Sequence, residues 1–179
     1  MSLDYPAVSE AEFRNACSKV PCGVTVTTVI GPERTPHGIA TSSFTSVSLI
    51  PPLVLVCIHH RSQILPHLQP GMPMGINALA EHQRGLSIQF SRDWARRFAE
   101  VAWYAGRTGV PLLAGALATF ECEITELILA GDHFIVLARV LHVMSNGGSP
   151  LTYVNRCYGT IAGEPASAAA VHQISGHAG

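Results

Sequence analysis

Charge is what this sequence has least of. Only 13% of its 179 residues are Asp, Glu, Lys or Arg, 12 acidic against 11 basic, for a formal net charge of -1. Without a basic face the chain has no general means of holding nucleic acid, and it has no electrostatic reason to bind an anionic membrane. Long hydrophobic runs are missing too. The most apolar one, Val47 to Ile58, is broken by Pro51-Pro52 and falls far short of the ~20 residues a membrane helix needs. The opening Met1-Ser2-Leu3-Asp4-Tyr5-Pro6 lacks the basic and apolar regions of a secretory signal. Five cysteines (Cys17, Cys22, Cys57, Cys122 and Cys157) include no CxxC pair, and an odd set without a framework reads as reduced thiols. These absences lead to the expectation of a soluble, cytoplasmic protein.

Familiar chemical motifs are absent as well. No GxGxxG follows a strand and no GxxxxGK[ST] occurs, which argues against Rossmann and P-loop sites. No GxSxG elbow is present. His59 and His60 are adjacent; on a strand they point to opposite faces and cannot share one metal, so no metal site is expected. Asp93, Glu100 and Asp132 suggest no close carboxylate pair.

What is present suits one domain with an ample core. Hydrophobic residues make up 47% and the mean hydropathy is +0.28, so part of the apolar surface is expected between subunits. Ser9-Glu10-Ala11-Glu12 is a capping box that starts a helix through about Lys19. Val24 to Ile30 is β-branched and predicts a strand, with Gly38 to Ser48 returning as its hairpin partner. Leu53 to Ile58 has no polar alternation and should be buried on both faces. Ser62 to Leu68 reads as a short helix, Met72 to Leu79 as a strand weakened by Gly75, Ala80 to Phe90 as a helix, and Ser91 to Pro111 as loop. Ala116 to Leu127 and His133 to Met144 alternate as two long strands around a Leu129 to Asp132 turn. Pro150 to Val154 and Cys157 to Ile161 close the chain's strands. Residues 1–162 thus form a mainly β (α+β) domain, an antiparallel barrel with a few peripheral helices. Residues 163–179 form an Ala/Ser/Gly-rich tail.

Two local patterns carry candidate chemistry. Thr41, Ser42, Ser43, Thr45, Ser46 and Ser48 crowd hydroxyls into eight positions. As one strand, Thr41, Ser43 and Thr45 share a face opposite Ser42, Phe44 and Ser46. His59-His60-Arg61-Ser62 lies just past the buried strand, where Arg61, Ser62 and helix-start amides can hold a phosphate. Either pattern alone is also compatible with an ordinary strand edge or a capped helix.

The order of segments resembles the short-chain flavin reductases, the reductase components of two-component flavin monooxygenases. The resemblance rests on Phe13-Arg14 before Pro21-x-Gly23-Val24-Thr25-Val26-Thr27-Thr28, and on Gly38-x-x-Thr41-x-Ser43-Phe44-x-Ser46-Val47-Ser48-Leu49-x-Pro51-Pro52-Leu53-Val54-Leu55. Asn77-x-Leu79-Ala80-Glu81-x-Gln83, Pro111-Leu112-Leu113 and Gly131-Asp132-His133 extend it over Phe13 to Ile161. It implies a flavin-binding split barrel, a homodimer with FMN or FAD near the subunit interface, and NADH or NADPH as hydride donor. It also implies that Thr41, Ser42, Ser43 and Phe44 line the flavin and that Ser46 and Val47 offer main-chain groups to its ring. By the same resemblance Ser62 sits at the phosphate, next to the Arg61 singled out above; Asn77 and Gln83 lie near the cofactor or serve structure, and His133 and Tyr158 meet the nicotinamide nucleotide. Two segments depart from the pattern. Gln89-Phe90-Ser91 replaces Arg-Phe-Ala, and Asn155-Arg156 replaces the Arg-Gly before Tyr158. The expected function is supply of reduced flavin to a separate monooxygenase; the alternatives are a non-catalytic flavin carrier and an oxidoreductase that keeps its flavin.

Overall fold

The computed structural model describes residues 7–92 and 94–161; the expected tail lies outside them. Helix α1 (Glu10–Ser18) begins at the capping box. The Ser9 amide donates to Glu12 Oε2 at 3.0 Å, and the Glu12 amide donates back to Ser9 Oγ at 3.3 Å. None of its side chains is buried.

β1 (Cys22–Gly23) leads into β2 (Thr25–Ile30), which pairs with β3 (Pro36–Thr41) in the expected hairpin. The hydroxyl-rich stretch is not one strand. It breaks at residues 42–44, and β4 (Thr45–Leu49) starts anew and pairs with β5 (Pro52–His59). β6 (Pro73–Ala78), helix α2 (Arg84–Phe90), β7 (Trp103–Ala105), β8 (Pro111–Leu113), β9 (Ala118–Ala130), β10 (His133–Ser145), β11 (Thr152–Val154) and β12 (Cys157–Gly159) follow.

Seven of these strands form one antiparallel sheet in the order β3-β2-β6-β9-β10-β5-β4. β3 and β4 are neighbours in the chain but stand at opposite edges. A flat sheet would hold those edges about 29 Å apart, at about 4.8 Å per strand. Four Cα steps from Thr41 to Thr45 reach about 15 Å at most, so the sheet has to curl into a barrel. Its edges meet at a seam without a regular ladder. There Ser43 Oγ accepts from the Cys57 amide at 2.8 Å and donates to the Cys57 carbonyl at 3.2 Å.

The barrel interior holds Val29, Val54, Val56, Ile58, Met74, Ile76, Ile124 and Val136. A second layer joins Val24, Val26, Leu79, Phe90, Leu113 and Leu151 beneath α2 and β8. β1, β11 and β12 form a separate three-stranded sheet. Among the described residues no helix is long and apolar enough to cross a membrane.

Several expectations need correction. β5 is buried on one face only: Val54, Val56 and Ile58 are buried, while Leu53, Leu55 and Cys57 are half-buried on the outside. The expected helix at Ser62 shrinks to a 3-10 turn, Leu65–His67, where Pro66 blocks a longer helix. The stretch assigned to loop contains the 3-10 turn Trp94–Arg96 and the β7–β8 hairpin. β9 runs on to Ala130, so the turn to β10 is only Gly131-Asp132, with Gly131 at φ +63°. Gly75 does not weaken β6. A Cβ there would collide with the Thr28 hydroxyl and stand 3.1 Å from the Pro111 carbonyl, so glycine lets β8 pack against the sheet.

Candidate functional site

The seam is the candidate site: β3 and β4 part there and leave main chain outside the regular ladder. Thr41 ends β3, its hydroxyl 2.8 Å from that of Thr25. Ser42 lines a cavity of about 220 Å³ with Thr41, Ala40, Val24, Ser87, Ser91, Tyr153 and Tyr158. Ser43 makes the Cys57 bonds, and the Phe44 ring packs inward 5.2 Å from Phe120. The alternating faces expected for residues 41–46 therefore do not exist; the chain turns the corner between two edges instead.

Beyond the corner, β4 is an edge strand with an irregular register. Ser46 stands opposite Val54 and Ser48 opposite Leu53, so Val47 is the extra residue of a bulge. A bulged residue is left out of the ladder, and half-exposed Val47 holds its peptide groups at the edge. Ser46 beside it is exposed.

Tyr158 lies on the β12 side of the cavity. Its hydroxyl is 2.9 Å from Ser87 Oγ, and the Arg84 guanidinium sits 5.3 Å above its ring. Ser87 and Arg84 were missed in the sequence. Their one-turn spacing on α2 is visible there, but only the β11–β12 hairpin brings them a tyrosine. That hairpin also explains one departure from the family pattern. Asn155 and Arg156 occupy its turn at φ +51° and +60°, a type I′-like geometry in which Asn is favoured and the second place usually falls to Gly. Arg156 is thus a turn residue between β11 and β12.

At the other end of the seam stand His59, Arg61, Ser62 and His133. His133 faces His59 across the β5–β10 ladder. Its Nδ1 lies 2.7 Å from Asp132 Oδ1, and this bond holds the Asp132 carboxyl below its ordinary range. His59 and His60 do not diverge as two strand residues would. The strand ends at His59 and the rings stack at 4.6 Å. Among the described residues no group of three or more His, Cys, Asp or Glu could hold a metal ion.

Asn77 and Gln83 sit within the framework. Fully buried Asn77 donates from Nδ2 to the Val26 carbonyl at 3.1 Å and accepts from the Leu113 amide at 2.7 Å. Gln83 accepts from the Ala80 amide at 3.0 Å and donates to the Ala114 carbonyl at 2.8 Å. These bonds correspond to the structural of their two readings. Gln89, where the family pattern has Arg, donates from Nε2 to the carbonyls of Arg96, Arg97 and Ala99 at 2.9–3.2 Å. A neutral amide there pins the following segment.

Known proteins share this sequence pattern and architecture. A probable flavin reductase of Rhizobium meliloti is 39% identical over 164 residues, 90% of this chain and 53% of that protein. The reductase component of a flavin-dependent trigonelline monooxygenase from Acinetobacter baylyi is 36% identical over 83% of this chain and 48% of its own length. The chain therefore spans about half the length of these curated relatives. The NADH:FAD oxidoreductase SgcE6 of Streptomyces globisporus C-1027, solved with NAD and FAD fragments, superposes with a TM-score of 0.80. It is 33% identical, over 85% of this chain and 92% of that one. The sequence pattern of the flavin reductase like domain matches residues 17–162, nearly the whole described chain, and this chain belongs to that family.

Proposed function

We propose that the chain is an NAD(P)H:flavin oxidoreductase that delivers reduced FMN or FAD to a separate flavin-dependent monooxygenase. The observation that carries this reading is the parted seam, where the bulge at Val47 leaves edge peptide groups beside a row of short hydroxyl side chains. That donor set fits a flat ring system with many acceptors and a polyhydroxyl chain. When bound there, flavin and nicotinamide supply the hydride chemistry themselves. The protein's task is to hold, align and dehydrate. Thr41, Ser42, Ser43 and Phe44 shape the wall, and Ser46 and Val47 offer main-chain donors to the ring's polar edge. Arg61 and Ser62 meet phosphate, while His133 and Tyr158 serve the nicotinamide nucleotide. No side chain needs to act as nucleophile or general base.

A homodimer belongs to the same proposal. The outer faces of Leu53, Leu55 and Cys57 are half-buried, and Leu49 and Ile50 at the β4–β5 turn are 84% and 94% exposed. Apolar side chains this exposed beside a candidate site fit a second copy of the chain. The five cysteines are free in the structure, in keeping with a reducing cytoplasm.

The test is oxidation of NADH and NADPH by the purified chain with and without added FMN or FAD. Turnover that depends on free flavin is expected. Measurable flavin binding without turnover, for either nucleotide and either flavin, would replace the reductase with the carrier.

A further inference from the structure

The cavity at the β12 end of the seam is walled by hydroxyls, and most of their protons are already committed. Thr25 Oγ1 donates to the Thr41 carbonyl at 3.2 Å, so the 2.8 Å contact between the two threonine hydroxyls takes the Thr41 proton. Ser91 Oγ donates to the Ser87 carbonyl at 2.7 Å, one turn back along α2. Ser87 and Tyr158 form a further pair, with Oγ and the phenol oxygen 2.9 Å apart. A hydroxyl has one proton to give and two lone pairs to accept with, so only one of the two donates across that contact. Ser87 is 2% exposed, and its hydroxyl makes no other hydrogen bond among the described residues. A phenol donating to it would strand the serine proton in the interior, where an unmade hydrogen bond is costly. Tyr158 is half-buried and lines the open cavity. The contact therefore runs from Ser87 to Tyr158, and the phenol proton is left to face the cavity.

We propose that Ser87 is a positioning residue, holding Tyr158 as a hydrogen-bond donor to a carbonyl oxygen of the bound ligand. The inference rests on the flavin reductase reading and deepens it by naming the group that Tyr158 recognises and the residue that sets its direction. The ring has little freedom to turn away. The Arg84 guanidinium, one turn before Ser87 on α2, covers one face of it at 5.3 Å. Tyr153 packs against it at 5.1 Å with the ring planes 61° apart. Helix α2 thus grips the tyrosine at its face and at its tip, while the β11–β12 hairpin carries its backbone. A cavity of about 220 Å³ admits one end of a ligand rather than a whole dinucleotide. Two carbonyls suit it, the carboxamide of a nicotinamide and those of the flavin ring. Both are neutral, amide-type acceptors, so the shared chemistry is a single donated hydrogen bond without charge pairing.

Ser87→Ala, Tyr158→Phe and the double variant of the full chain test the assignment. The readouts are KM for NADH and NADPH, kcat, flavin Kd by fluorescence titration, and the melting temperature. Tyr158→Phe keeps the ring and removes the donor; it should weaken one ligand by about three- to ten-fold, the size of a net hydrogen bond, with kcat nearly unchanged. Ser87→Ala should weaken the same ligand. The double variant should do no worse than Tyr158→Phe alone, because Ser87 acts only through the phenol. A raised KM for NADH and NADPH alike, at unchanged flavin Kd, places the donor on the carboxamide; a raised flavin Kd at unchanged KM places it on the flavin. Should Ser87→Ala fail to fold, Ser87→Cys, which keeps the shape and weakens the donor, takes its place. Unchanged KM and Kd in Tyr158→Phe overturn the inference. So does equal weakening of both ligands, which marks a purely structural pair, and so do additive losses in the double variant, which give Ser87 a ligand contact of its own. If the wild-type chain still oxidises nucleotide with added flavin under those outcomes, the reductase reading stands. A wild-type chain that neither binds flavin nor oxidises nucleotide overturns the two together.

Discussion

Thr27 illustrates how much one atom can matter in so apolar a barrel. It is fully buried in β2, and its hydroxyl has no hydrogen-bond partner among the described residues. An unsatisfied buried hydroxyl costs about 1–3 kcal/mol, and valine has the same branched shape with a high strand preference. Thr27→Val should therefore raise stability by roughly 1 kcal/mol, seen as a higher urea midpoint at unchanged slope. A lower midpoint would mean that the hydroxyl has a partner in solution. Legibility varied residue by residue. The hydroxyls at Thr41 to Ser48 can be counted in the sequence, but Ser87 enters the site only through the fold. Glu121 lies in the alternating run Ala116 to Leu127, where a charged residue reads as solvent-facing, yet it is buried. Burial pushes its carboxyl up, but the Thr108 amide and hydroxyl, both at 2.7 Å, and the Arg107 amide outweigh this and hold it below the ordinary range. Strand periodicity could not show that a distant hairpin covers the outer face.

Among the elements, the β11–β12 hairpin carries the clearest local conflict. Arg156 at φ +60° holds a position where a Cβ is disfavoured by about 1–2 kcal/mol. Arg156→Gly should relieve most of that and raise the melting temperature by about 2–4 °C. If Arg156 also binds nucleotide, its loss will show separately as a raised KM. A lower melting temperature would mean that the arginine makes contacts that outweigh its backbone strain. The elements read correctly from sequence were those with several repeats of one signal: β2 through its β-branched run, β9 and β10 through alternation, and α1 through its capping box. β7 and β8 were missed because three residues hold too few periods to distinguish strand from loop. The broken strand at Ser42 was missed because a change of sheet edge leaves no mark in local propensity.

At the scale of the whole molecule, the barrel class was legible from strands without βαβ rhythm, and the order of motifs supplied the family. How the barrel closes was not. It follows from β3 and β4 sharing a short link while standing at opposite sheet edges, a relation that exists only once the other strands have paired. The apolar β4–β5 tip makes the dimer testable: the wild-type chain should elute and scatter light as a dimer at micromolar concentration, and Leu49→Asp with Ile50→Asp should shift it towards monomer. A wild-type monomer at that concentration would remove the second copy from the proposal. The seam has a further consequence for how selectively the protein can recognise anything. A wall made largely of peptide groups presents much the same surface whichever side chains its residues carry. On the proposed reading the ring it holds can stay constant while neighbouring residues drift, and discrimination among ligands falls to the two ends of the strip, at Tyr158 and at His133.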